Sequence, residues 1–130
     1  MGDTKTEFAS QMAALHSSFE EGLGGRIANI RKIVDGLNKQ AAKEDVRDLL
    51  ENLQSLSYKL AGAAGTFGFS KISSMAKILE ESSIEALRAL SGEENEMPGY
   101  FKRIEELVTM LQASAATGED SLPATMEAAT

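Results

Sequence analysis

Long stretches of the chain repeat apolar residues every three or four positions, the period of an α-helix, and no comparable run alternates strictly as a strand would. The most regular stretch places Val46, Leu49, Leu50, Leu53, Leu56, Leu60 and Ala64 on one face. It predicts a helix from about Lys43 to about Ala64, stopped by Gly65-Thr66-Phe67-Gly68. Phe69-Ser70 opens the next helix, with Ser70 as the expected N-cap and Ile72, Met75, Ala76, Leu79, Ala86, Leu87 and Leu90 inward. A charged turn, Ser91 to Glu96, precedes a last helix in which Pro98 suits the first turn and Phe101, Ile104, Leu107, Val108 and Leu111 face the core. Ahead of all this, Phe8, Met12, Leu15 and Phe19 are spaced 4, 3 and 4. Three glycines in Gly22-Leu23-Gly24-Gly25 weaken a helix there, and Leu23, Ile27, Ile30, Val34 and Leu37 then continue a stripe. This first part reads as two helices or as one long helix kinked near Gly24. The expected fold is all-α: an up-and-down four-helix bundle over residues 6–113 with an additional N-terminal helix, after a flexible N-terminus at 1–5 and before a disordered, Ala- and Thr-rich tail at 114–130.

Composition narrows the chemistry. The 130 residues fit one domain, and 20 acidic against 13 basic side chains give a net charge of −7, which disfavours a partner that must be neutralised by a basic stripe, such as nucleic acid. With no cysteine and one histidine, His16, neither thiolate chemistry nor a multi-histidine metal cluster can be built from one chain. The doublets Glu20-Glu21, Glu80-Glu81, Glu93-Glu94 and Glu105-Glu106 read as solvated faces, because neighbouring helical residues project about 100° apart. A Ser-His-Asp triad would have to recruit His16, and nothing in the sequence specifies one. His16 itself flanks the Met12–Leu15–Phe19 stripe and reads as a partly exposed structural histidine. No apolar run approaches the roughly 20 residues that cross a bilayer, and the N-terminus lacks a signal-type apolar stretch. The expectation is therefore a cytoplasmic protein with no membrane contact, catalytic set, metal or cofactor.

One surface stands out. On the helix that starts near Lys43, Glu51, Ser55, Tyr58 and Gly62 lie together opposite the leucine stripe, with Lys59 beside them. A glycine within an exposed helical face costs about 1 kcal/mol relative to alanine. Gly62, one turn after an exposed aromatic, is either tolerated near a helix end or bares backbone so that something can dock closely.

The residues around it, Ser57-Tyr58-Lys59-Leu60-Ala61-Gly62-Ala63-Ala64-Gly65-Thr66-Phe67-Gly68-Phe69, resemble the signature of histidine phosphotransfer domains. That signature is a histidine, any residue, leucine, a lysine or small residue, and glycine, with another glycine six residues on. The resemblance extends from Glu7 to about Gln112, and Ile72, Ala76, Leu79 and Glu80 fit the helix that follows. It departs at the reacting position: Tyr58 stands where the family carries its phosphoaccepting histidine, and Ala61 where members often carry a phosphate-holding lysine. His16 lies on a different helix and cannot substitute by register, whereas Lys59 is in keeping with the family. A phenol, with a pKa of about 10, is almost wholly protonated at neutral pH, and its phosphate ester does not pass on readily as a phosphoramidate does.

The resemblance thus implies a phosphorelay-type signalling protein that docks the receiver domain of a response regulator, or a histidine kinase, without carrying phosphate and without enzymatic activity. The docking surface it implies is Tyr58 with Ser55, Lys59, Ala61, Gly62, Gly65 and Gly68. Three alternatives stay open at this level: a variant of an active phosphotransfer protein whose acceptor was replaced, phosphate acceptance at His16 or Tyr58 by another route, and a non-catalytic dimerisation or scaffold module. Phe8, Met12 and Phe19, left unpaired, would also make an apolar strip for a homodimer through the N-terminal segment.

Overall fold

A computed structural model describes residues 3–39, 42–92 and 97–117. Among them the chain is entirely helical apart from short connections, with α1 at Asp3–Leu37, α2 at Lys43–Thr66, α3 at Ser70–Leu90 and α4 at Met97–Thr117. Each helix packs on its neighbours in chain order, and α4 returns to α1, so the four enclose one core. Much of that core is as predicted: Leu50, Leu53, Leu60 and Ala64 of α2, Ile72, Ala76, Leu79 and Ala86 of α3, and Ile104, Val108 and Leu111 of α4 are all buried, whereas Leu49, Leu56, Met75, Leu87, Phe101 and Leu107, also expected inward, are only partly covered. They meet Leu23, Ile27, Ile30, Val34 and Leu37 of α1.

The first part of the chain departs from expectation. No separate N-terminal helix precedes the bundle: α1 runs unbroken for 35 residues through Gly22-Leu23-Gly24-Gly25. The glycines sit on its outer side, with nothing within 4 Å of where a Cβ would lie, while Leu23 and Ile27 between and after them are buried. Packing of those two side chains outweighs the weak intrinsic propensity of the glycines. Thr4 and Lys5 are likewise helical, not a flexible lead-in. At the other end α4 continues past residue 113 to Thr117 with Ser114 buried, so residues 114–117 belong to the helix and not to the expected tail; positions 118–130 lie outside the described residues.

The closure of α4 on α1 is polar at its rim. The Arg31 guanidinium donates from Nε (3.1 Å) and Nη2 (2.7 Å) to Gln112 Oε1, and from Nη2 to Thr109 Oγ1 at 2.9 Å. Asp35 and Glu105 stand 3.9 Å away, too far for tight pairing but of the right sign. Two hydroxyls, Ser57 Oγ and Ser114 Oγ, are buried with no hydrogen-bond partner in the structure.

Candidate docking face on α2

The end of α2 is fixed by backbone geometry. Gly68 has φ +86°, a conformation that costs other residues about 1–2 kcal/mol. It lets the Phe69 N–H donate to Ala64 O (2.8 Å) and its own N–H to Gly65 O (3.4 Å), which together form a Schellman cap. Ser70 is therefore the first residue of α3 and not its N-cap; Phe69 occupies the cap position, which has no side-chain hydrogen bond. Phe69 is instead buried in an aromatic cluster. Its ring stacks on His16 at 4.6 Å between centroids and meets Phe19 at 5.3 Å, while Phe67 stacks on Phe19 at 5.4 Å. The Arg26 guanidinium lies 5.4 Å from the Phe19 centroid. Phe19 is thus core and not part of a free strip, and His16, half-buried against Phe69 with Glu20 at 3.8 Å, is occupied structurally.

Against this frame the seven signature-derived residues divide. Tyr58 is 67% exposed midway along α2, and Ser55, Lys59 and Gly62 are exposed with it. A Cβ at Gly62 would meet nothing within 4 Å, so the surface beside the phenol ring is low and open. The Gly62 carbonyl accepts a second hydrogen bond, from Thr66 Oγ1 at 2.9 Å. Ala61 is the correction: it is only 5% exposed, turned into the α2–α3 seam, and its carbonyl accepts the Ser73 hydroxyl at 2.7 Å. Gly65 is exposed but serves the same seam, because a Cβ there would stand 3.2 Å from Ser73 Oγ. Gly68 is the cap just described. Tyr58, Ser55, Lys59 and Gly62 form the face; Ala61, Gly65 and Gly68 hold the helix pair that displays it.

Beside Tyr58 an open groove runs between α2 and α3, bordered by Arg47, Glu51, Gln54 and Ser55 on one side and by Glu80 and Leu87 on the other. Two carboxylates against one guanidinium make poor lining for a phosphoryl group, which needs cations and N–H donors. Sequence reasoning missed Glu80 and Leu87 as neighbours of the Tyr58 face, since only the pairing of α2 with α3 brings them there; Arg47, three turns before Tyr58 on the same face of α2, was open to the angular count and was overlooked. Sequence reasoning also missed that Ser57, Ser73, Ser82 and Ser83 are buried; of these, Ser73 reaches from α3 to the Ala61 carbonyl of α2, while Ser83 donates to Leu79 O within α3. Among the described residues no group of three or more His, Cys, Asp or Glu could hold a metal ion, and no helix is long and apolar enough to cross a membrane. Comparisons with protein-family models, curated proteins and solved structures each return no match for this chain.

Proposed function

We propose that the protein is a phosphotransfer-type up-and-down bundle that docks a receiver domain or a histidine kinase through the Tyr58 face and does not relay phosphate. The observation that carries this reading is the exposed phenol of Tyr58 at the position of the signature's histidine, with the bare Gly62 surface one turn away. A docked partner gains a rigid aromatic anchor, the residue type favoured at interface centres, and meets no side chain at residue 62 that would hold it off. Relay is disfavoured by chemistry: Tyr58 offers no imidazole nitrogen, and Glu51 and Glu80 border the adjoining groove. Such a protein acts by occupancy, sequestering its partner or competing with a phosphate-carrying relative, in the cytoplasm where receivers and kinases meet.

The test is titration against the receiver domains and kinases of the same cell. At least one should bind with an affinity of about 1–50 μM, and both Tyr58→Ala and Gly62→Leu should weaken it by about tenfold or more while the fold stays intact. Absence of binding at about 100 μM to every one of them rejects the reading. In the same assay the wild-type chain should take up no acid-labile phosphate from a phosphorylated kinase or receiver. Uptake that His16→Ala abolishes would instead assign phosphate to His16.

A further inference from the structure

We propose that the projecting part of α1 pairs in antiparallel fashion with the same stretch of a second copy of the chain. At 1.5 Å per residue, the 35 residues of α1 reach about 52 Å, against about 32–36 Å for the other three helices. The excess lies at its start: from residue 4 to residue 18 no position is buried, and burial begins at Phe19. Yet the apolar stripe does not stop there. Phe8 and Leu15 are 65% and 50% exposed, Met12 is half-buried, and all three continue the line that enters the core at Phe19, Leu23 and Ile27. A projecting helix of this length is marginal in water without a packed face.

The charge pattern says what covers it. Phe8 to Phe19 contains no Asp, Glu, Lys or Arg in twelve residues, although the chain as a whole carries −7. The free flanks of the stripe are Ala9, Gln11 and Ser18, while His16 is taken up by the Phe69 ring of its own chain, so two copies can meet along the stripe without opposed charges. An anionic membrane is the wrong surface for so acidic a chain, and the segment lacks the Lys and Arg of an interfacial helix. The antiparallel arrangement layers Met12 of each copy against Leu15 of the other and brings each Phe8 to the rim of the other's Phe19 cluster. It also sets the two acidic bundles at opposite ends of the contact, where a parallel pair would place them side by side. Twelve residues cannot supply the roughly 800 Å² per partner of a stable complex, so the dimer is transient, dissociating at tens of micromolar.

Sedimentation of the full chain from about 1 to about 200 μM decides this. The mass should rise from 13.9 kDa toward twice that value. Leu15→Glu should weaken self-association by about tenfold or more with helicity and Tm unchanged, while Ala13→Glu, on the opposite face, should leave it in place. Added salt should strengthen the dimer, because it screens bundle against bundle and finds no ion pair to break in the contact. A chain that stays at 13.9 kDa throughout, equal loss in both variants, or weakening by salt would each overturn the proposal. None of these outcomes depends on whether Tyr58 docks a receiver.

Discussion

Glycine has two opposite uses within four residues of α2, and substitution separates them. Gly62→Ala adds a methyl group to open space on an exposed helical face, so it should raise stability by about 0.5–1 kcal/mol through helix propensity. Gly65→Ala gains the same propensity but drives a Cβ to 3.2 Å from a hydroxyl that is held by the Ala61 carbonyl. Ser73 must then shift by a few tenths of an ångström against that bond, so Gly65→Ala should fall about 0.5–1.5 kcal/mol below Gly62→Ala in urea unfolding. Equal stabilities would mean the seam is looser than the structure has it. The same seam bears on any attempt to place a cation beside Tyr58: Ala61 is buried, so Ala61→Lys has to thread a charged chain out between α2 and α3. Tyr58 and Gly62 were legible as a face because angular spacing alone puts them opposite the leucines. Ala61 was misread because a signature gives order along the chain and not depth. The buried serines could not be read at all, since serine is mostly a surface residue and spacing alone did not distinguish these from exposed ones.

Among the elements, α1 and α4 rely most visibly on a single side chain. Arg31 ties Gln112 and Thr109 to α1, and truncation to alanine also removes the aliphatic stem that lies along the rim. Arg31→Ala should cost about 1–2 kcal/mol, and native-state amide exchange should accelerate chiefly in α4 and the second half of α1, with the α2–α3 pair protected longest. Uniform acceleration across all four helices would instead show that Arg31 matters only to global stability. The inward faces of α2, α3 and α4 were readable in outline because leucine and isoleucine at helical spacing point to one side, whereas their ends, at Phe69–Ser70 and Thr117, depend on cap geometry and packing that spacing does not carry. The unbroken α1 was not, because the glycine cluster argues locally for a break, and only the burial of Leu23 and Ile27 by the other helices decides against one.

At the scale of the whole molecule, acidic residues outnumber basic ones 20 to 13. The Arg31 pairs with Asp35 and Glu105 have separations of 3.9 Å and involve partly exposed groups, so they contribute little. Folding compresses a net −7 charge, and raising NaCl from about 20 to about 200 mM should therefore raise Tm by a few degrees in thermal unfolding followed at low protein concentration. A fall in Tm would mean that attractive pairs outweigh repulsion. That the fold is all-helical, with one core, was legible from periodicity alone; which helices touch, and hence that Glu80 and Leu87 flank Tyr58, required the structure. The continuity of α1 has a geometric consequence. One unbroken helix from Asp3 to Leu37 carries both Phe8, at the outer tip, and Phe19, whose ring meets Phe67 and Phe69. Those two rings flank Gly68, so the tip of the molecule and the end of the helix that presents Tyr58 share a single span of contacts.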